Sequence, residues 1–240
     1  MPLALLALIA AAPPPSATPT SRLDEPAWAA RHAAKLEEVR RKHPDLIFLG
    51  DSITQNWEKH GGPAWDDFAP GWQRFYGRRN AVNLGFSGDT TANQLWRIEN
   101  GEVDGISPRA AVVLIGVNDF GGPHWSVADT LAGILAVVAA LHARLPSTHI
   151  LLLGVLPNAW SDHIAAQTAA LDTALRRRDW APMNATCLDL SHIFLRNGVL
   201  DRSLFFDPLL DPPQPPLHPT AQAQERLSEA IEPALLKILK

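Results

Sequence analysis

The amino-acid sequence predicts an α/β fold, a three-layer α/β/α sandwich with about five parallel strands. Short, continuous apolar runs alternate along the chain with longer segments of helical pattern. Uninterrupted apolar strands are typical of parallel sheets that helices cover on both faces. Polar motifs follow the first three runs, and ligands in such sheets lie beyond the carboxyl ends of the strands. We therefore expect a functional site at that edge.

The first predicted helix covers residues 24–42. Asp24 is a good N-cap, Pro26 falls in the first turn, and the segment "WAARHAAKLEEVRRK" continues the helix. The first predicted strand is the apolar run Leu46–Leu49, which ends at Gly50. The chain therefore reaches the carboxyl edge of the sheet at the tripeptide "GDS".

The middle of the chain repeats this alternation. Ala81–Leu84 is a weaker strand, and Thr90–Glu99 has a helical pattern. Ala110–Gly116, with the sequence "AAVVLIG", is a strong predicted strand. Val127–Arg144 is a helix that Pro146 closes.

The last third supplies two more strands and two more helices. His149–Leu156 is a strand that Pro157 stops, and the helix Ser161–Arg178 follows it. Thr186–Leu190 is the fifth predicted strand, and Thr220–Leu239 is the final helix.

Composition narrows the functional classes. The 240 residues carry 21 Lys and Arg against 25 Asp and Glu, and no basic stripe is present. We therefore predict no nucleic-acid partner. The single cysteine, Cys187, excludes an internal disulfide and a multi-cysteine metal site. No metal motif such as "HExxH" occurs, so we predict neither a metal nor an organic cofactor.

The N-terminus resembles a secretory leader. Leu3–Ala12 is an apolar run too short to span a bilayer as a helix, and prolines and small residues follow it. Two features argue against a secretory leader: no Lys or Arg precedes the apolar run, and Pro13 follows its end, where cleavage would be expected. We expect residues 1–21 to be a leader outside the fold, residues 22–240 to form one domain, and the protein to be secreted or periplasmic. The alternative, a disordered tail or a misassigned start, predicts a cytoplasmic protein without a membrane span.

Ser52 follows the first strand and has two interpretations. It is a suitable N-cap for the next helix. The same junction also suits a nucleophile, because free backbone N–H groups at a helix start can hold an oxyanion. The strand and its turn leave both interpretations open.

Three further residues suit the same site, and the first two of them have a structural interpretation as well. Gly88, in "NLGFSGDTT", belongs either to a tight turn or to a loop whose N–H approaches a substrate oxygen. Asn118, in "LIGVNDF", is either a turn residue or an amide donor. His218, in "PPLHPT", is held between prolines just before the last helix and suits a general base.

Together these blocks resemble the SGNH, or GDSL-type, hydrolases. The segment "GDTTANQLWRIENGEVDGISPRAAVVLIGVND" is similar to the catalytic subunits of the intracellular platelet-activating-factor acetylhydrolases. The resemblance implies a flavodoxin-like sandwich with Ser52 as nucleophile and His218 as general base. It also implies an oxyanion hole formed by the backbone N–H groups of Ser52 and Gly88 and the side chain of Asn118.

The acid of the implied triad is the main departure from the family pattern. The family usually has Asp three residues before the histidine, and this chain has Pro215 there. Asp211 and Asp207 lie seven and eleven residues before His218, in a loop with six prolines between residues 208 and 219. We predict Asp211 as the acid, with Asp207 as the second choice. A Ser–His dyad oriented by a backbone carbonyl is the third.

The implied activity is hydrolysis of short-chain, most simply acetyl, carboxylic esters. The alternatives are a longer-chain esterase or lysophospholipase, and a non-catalytic module of the same fold that binds carbohydrate or a partner. The substrate is a small-molecule, lipid or carbohydrate ester, since aromatic faces suit sugar rings as well as lipids. The related subunits pair, so a homodimer is an open expectation. Six tryptophans lie in or near segments at the predicted edge: Trp57, Trp65, Trp72, Trp96, Trp125 and Trp160.

Overall fold

A computed structural model describes residues 12–239, and its centre is one parallel sheet of five strands. The strand order is β2-β1-β3-β4-β5, the flavodoxin-like order with a switch point between β1 and β3. Leu46 at the start of β1 is in register with Ala81 of β2 and Ala110 of β3. The strands are β1 (Leu46–Gly50), β2 (Ala81–Gly85), β3 (Ala110–Leu114), β4 (His149–Leu153) and β5 (Ala185–Leu188).

Helices connect the strands, and a small antiparallel hairpin, β6 (Leu195–Arg196) with β7 (Val199–Leu200), follows the sheet. The α-helices are α1 (Pro26–Lys42), α2 (Ser52–Gln55), α3 (Ala69–Tyr76), α4 (Thr91–Arg97), α5 (Val117–Gly121), α6 (Val127–Arg144), α7 (Asp162–Arg176), α8 (Ser191–Phe194) and α9 (Ala221–Ile238). Short 3₁₀ turns occupy Pro15–Ala17, Asn56–Glu58, Ala181–Met183, Arg202–Leu204 and Asp207–Leu209, and a π-type turn occupies Ile98–Glu102.

The sheet separates two apolar layers. Ile47 and Leu49 of β1 pack with side chains of α1, α4, α6 and α7. Leu46 and Phe48, which point to the opposite face, pack with side chains of α3 and α9. Because each face of the sheet has its own helical layer, the predicted three-layer α/β/α sandwich is confirmed.

Most predicted elements are present with shorter ends. Thr90, Ser161 and Thr220 were predicted as first helical residues, and each is instead the N-cap whose side chain accepts a backbone hydrogen bond. The predicted cap Asp24 is wrong, because α1 begins at Pro26 with Glu25 at the cap position. Helix α3 was not predicted.

Helix α6 is long and apolar enough to cross a bilayer. It packs instead within the helical layer, where Ile134, Val137, Val138 and Leu141 are fully buried. Its apolar character is that of a core helix covering a sheet.

The predicted boundary after residue 21 is too late. The first eleven residues of the expected leader, with most of its apolar run, lie outside the described residues. The part from Pro14 to Ser21 belongs to the fold. Ser16 is fully buried and its Oγ donates to the Asp129 carbonyl oxygen at 2.6 Å. Asn93 Nδ2 donates to the Thr20 carbonyl oxygen at 2.9 Å.

Candidate active site

Ser52 lies two residues beyond the end of β1, at the first position of α2, and it is not the cap of that helix. Asp51 has that role, because its Oδ1 accepts a hydrogen bond from the Ile53 N–H at 2.9 Å. The Ser52 hydroxyl is therefore available to another partner. Its Oγ lies 3.0 Å from Nε2 of His218. This distance allows direct proton transfer from the serine to the imidazole.

The imidazole of His218 is fixed from three sides. Its Nδ1 lies 2.6 Å from Asp207 Oδ1, and its backbone N–H donates to Asp207 Oδ2 at 2.6 Å. The Leu217 N–H donates to the same Oδ2 at 2.8 Å. The Phe206 ring stacks on the imidazole with centroids 5.4 Å apart. Ser52, His218 and Asp207 thus form a continuous relay.

The preference for Asp211 as the acid is corrected by this geometry. Backbone pairing brings the two ends of the proline-rich loop together, since the Phe206 N–H donates to the His218 carbonyl oxygen at 3.0 Å. That pairing places Asp207, the second choice, directly beside His218. Asp211 lies at the exposed tip of the loop. The imidazole Nδ1 also faces a carboxylate rather than the backbone carbonyl of the dyad alternative.

The surroundings of Asp207 favour its charged form. Burial acts to raise the pKa of this carboxyl, but hydrogen bonds from His218 and the Leu217 N–H outweigh it. The net result is a pKa below the ordinary value of Asp. An ionised carboxylate holds the Nδ1 proton and leaves Nε2 free to accept a proton from Ser52.

The residues predicted for the oxyanion hole follow three adjacent strands. Ser52 follows β1, Gly88 follows β2 with a φ of +77°, and Asn118 follows β3. Within residues 12–239 the Ser52 and Gly88 N–H groups have no hydrogen-bond partner. One hydrogen of Asn118 Nδ2 is donated to the Asp89 carbonyl oxygen at 3.0 Å, which ties Asn118 to the Gly88 loop. The second hydrogen of that amide remains for a ligand.

Two buried carboxyls lie behind this edge. Burial raises the pKa of Asp51 to about 7 and that of Asp119 to about 7. Asp119 accepts hydrogen bonds from the Thr91 N–H at 2.9 Å and from the Thr91 hydroxyl at 2.6 Å. These bonds hold the start of α4 against Asp119, which follows Asn118 in the chain.

The relay opens into a cleft of about 490 Å³. Its lining combines polar side chains, among them Gln55, Asn56 and Lys59, with apolar ones, among them Trp160 and Leu210. Of the six tryptophans noted in the sequence, Trp160 lines the cleft and Trp57 is buried in the core. The full lining is Ser52, Gln55, Asn56, Lys59, Ser87, Trp160, Phe206, Asp207, Leu210, Gln214, Pro215, Leu217 and His218.

Sequence reasoning missed Asn56 in the wall of this cleft. It lies four residues after Ser52, a spacing that places two side chains on one face of a helical segment. Asn56 is only 6 % exposed, and its Nδ2 has no hydrogen-bond partner within the described part of the chain. A buried donor without a partner destabilises the folded state.

We expect Asn56→Leu to raise the free energy of unfolding by about 1 kcal/mol, because an apolar group of similar size removes the unpaired donor. Asn158→Leu is the matched control. Asn158 is 5 % exposed, but its Nδ2 donates to Thr168 Oγ1 at 3.1 Å and its Oδ1 accepts from the Trp160 N–H at 3.2 Å. Urea unfolding of both variants should give opposite signs, and a loss of stability in both contradicts the assignment.

A family model for GDSL-like lipases and acylhydrolases matches residues 48–226, a span that contains the whole relay and the predicted oxyanion hole. The chain belongs to the GDSL-like lipase/acylhydrolase family. Family membership confirms the resemblance drawn from the sequence motifs.

Curated relatives of this GDSL-family chain include subunit alpha2 of platelet-activating factor acetylhydrolase IB. The subunits from Rattus norvegicus and Homo sapiens are 34% identical over 131 residues, which are 54% of this chain and 52% of theirs. The chain thus spans about half the length of these relatives. The Gallus gallus subunit is 26% identical over 215 residues, 89% of this chain and 85% of its own.

Two solved structures show the same fold at low identity. A GDSL-like lipase from Bacteroides thetaiotaomicron has a TM-score of 0.65 and 19% identity, covering 88% of this chain and 97% of that chain. An acetylxylan esterase from Geobacillus stearothermophilus has a TM-score of 0.57 and 18% identity, covering 78% of this chain and 92% of that chain. Both similarities support the α/β/α architecture.

Proposed function

We propose that this GDSL-family protein hydrolyses short-chain carboxylic esters, acetyl esters above all, through a Ser–His–Asp acyl-enzyme mechanism. The observation that carries the proposal is the continuous relay from Ser52 Oγ through both nitrogens of His218 to Asp207. Each member of a hydrolytic triad has its partner within hydrogen-bond distance.

Acylation begins when His218 Nε2 takes the hydroxyl proton of Ser52 and the serine oxygen attacks the acyl carbon. The carbonyl oxygen becomes an oxyanion, which accepts hydrogen bonds from the backbone N–H groups of Ser52 and Gly88 and from Asn118 Nδ2. Each such donor typically stabilises the transition state by about 3–4 kcal/mol. The protonated His218 then gives its proton to the leaving alcohol oxygen, and the acyl group remains on Ser52.

Deacylation reverses these roles with water as nucleophile. His218 takes a proton from water, the resulting hydroxide attacks the acyl carbon, and the same three donors hold the second oxyanion. The bond to Ser52 Oγ breaks, the serine regains its proton from His218, and the free acid leaves. Asp207 stays ionised and stabilises the imidazolium in both halves of the reaction.

The polarity of the cleft next to Ser52 supports a short acyl group. Gln55 and Asn56 follow Ser52 in the same short helical segment, Ser87 precedes Gly88, and all three line the cleft. A long hydrocarbon chain against them would bury polar groups without hydrogen-bond partners, which is unfavourable. The names of the mammalian relatives point the same way, since they are acetylhydrolase subunits.

The remaining residues of the cleft lining support an alcohol with both apolar and polar surfaces. Trp160, Leu210 and Leu217 contribute apolar surface to the lining, and Gln214 and Lys59 provide hydrogen-bond donors. Sugar esters and glycerolipid esters both have this character.

The test is a series of p-nitrophenyl esters from acetate to octanoate, in which the leaving group is constant. We expect kcat/KM to fall by about tenfold or more between the acetyl and hexanoyl esters, because the longer chain meets the polar wall. A kcat/KM that rises with chain length would support the longer-chain esterase or lysophospholipase instead. A folded wild-type protein that hydrolyses none of the esters would contradict the proposed function as a whole.

A further inference from the structure

The loop that carries Gly88 is held by an arginine from the segment before α1. Arg22 Nη1 donates to the Ser87 carbonyl oxygen at 2.9 Å and to Asp89 Oδ1 at 2.8 Å. These two acceptors lie on either side of Gly88 in the chain. A Cβ atom built on Gly88 would be 3.3 Å from Arg22 Nη1, so the guanidinium lies directly over the glycine.

The guanidinium of Arg22 is itself held in place. Its Nε donates to Glu25 Oε1 at 2.9 Å and its Nη2 donates to Glu25 Oε2 at 2.7 Å. This bidentate pairing fixes the plane of the guanidinium, and only 22% of the arginine side chain is exposed. Arg22 therefore presents Nη1 to the loop from a defined direction.

The same loop links two of the three predicted oxyanion donors. Asp89 is fully buried, and its carboxylate also accepts hydrogen bonds from Trp28 Nε1 at 2.7 Å and from Arg97 Nε at 2.8 Å. Its backbone carbonyl oxygen accepts the hydrogen bond from Asn118 Nδ2. A shift of this loop would therefore move the Gly88 N–H and the Asn118 amide together.

We propose that Arg22 is a positioning residue that holds the Ser87–Gly88–Asp89 loop so that its donors point at the oxyanion. This inference rests on the proposed esterase function. An oxyanion donor works over a narrow range of distance, about 2.7–3.1 Å. A displacement of about 1 Å can lower the rate about 10²-fold. Arg22 lies upstream of the residues that the family model matches, so the family pattern assigns it no role.

The experiment compares p-nitrophenyl acetate hydrolysis by wild type, Arg22→Ala and Arg22→Lys. We expect Arg22→Ala to lower kcat about 10- to 100-fold with KM changed less than about twofold, because the oxyanion contacts form only in the transition state. Arg22→Lys should give an intermediate kcat. One ammonium group cannot pair with both carboxylate oxygens of Glu25 and also donate to the Ser87 carbonyl oxygen and the Asp89 carboxylate. Added guanidinium chloride, at roughly tens of millimolar, should restore part of the kcat of Arg22→Ala, because a free guanidinium can hold the loop in the same position.

Arg144→Ala is the matched control. Arg144 also donates to a carboxylate, Asp104 Oδ1 at 3.2 Å, and to a carbonyl oxygen, that of Glu99 at 3.3 Å. It lies at the C-terminal end of α6, away from the cleft. This variant should keep the wild-type kcat and should not respond to guanidinium.

The outcomes separate the inference from the proposed function. If folded Arg22→Ala has a kcat within about twofold of wild type, the positioning role is overturned while the esterase function stands. If Arg22→Ala does not fold, Arg22→Lys is the test instead, and a wild-type kcat for that variant overturns the positioning role of Arg22. If wild type itself hydrolyses no acetate, the proposed function has failed first.

Discussion

Ser52→Ala is expected to lower kcat for p-nitrophenyl acetate by at least about 10⁴-fold. Without the hydroxyl no acyl-enzyme forms, and His218 has no serine proton to take. The fold should be preserved, because the cap of α2 belongs to Asp51 and Ser52 is only partly buried. The measurement is steady-state hydrolysis by wild type and variant at equal folded concentration.

Ser87→Ala is the matched control for this prediction. Ser87 lines the same cleft, and its hydrogen bonds to residues 12–239 use the backbone N–H and carbonyl groups rather than the hydroxyl. An alkylphosphonate that modifies nucleophilic serines should label wild type and Ser87→Ala once each and leave Ser52→Ala unlabelled. Retained activity in Ser52→Ala would mean that the serine only begins a helix, which is the other interpretation of "GDS".

The strand pattern predicts most of the site because strand order decides which loops meet. Ser52, Gly88 and Asn118 each lie within four residues of the end of an apolar run. Those runs form β1, β2 and β3, which are neighbours in the sheet, so the three loops meet at its carboxyl edge. Any parallel sheet in which these strands are adjacent gives this result, and the order of the outer strands is not needed.

The position of Arg22 could not be predicted in the same way. Residues 13–21 contain prolines and small residues, and this composition is typical of a signal-peptide cleavage zone as well as of a segment packed on helices. Whether such a segment packs on the fold depends on tertiary contacts, such as the hydrogen bond from the Ser16 hydroxyl to the Asp129 carbonyl oxygen. Local composition carries no information about such contacts. Nothing in the sequence therefore indicated that Arg22, at the edge of the predicted domain, contacts the Gly88 loop.

The choice between Asp211 and Asp207 depended on the path of a loop. Sequence distance favoured Asp211, because it is closer to His218. The structure shows that the loop leaves and returns through paired backbone segments, with the Thr220 N–H donating to the Leu204 carbonyl oxygen at 2.8 Å. In such a closed loop the residues at the base meet and those at the tip do not. Asp207 lies at the base, so its greater distance in sequence is no obstacle.

We therefore expect Asp207→Asn to lower kcat about 10³- to 10⁴-fold, whereas Asp211→Asn keeps a kcat within about twofold of wild type. An amide at position 207 can donate to Nδ1, which favours the imidazole tautomer with its proton on Nε2, where it cannot accept the serine proton. It also removes the negative charge that stabilises the imidazolium. Asp211, exposed at the loop tip, is a control of the same chemistry in the same loop. A loss of activity in Asp211→Asn would show that the loop rearranges during catalysis, and full activity in both variants would establish a Ser–His dyad.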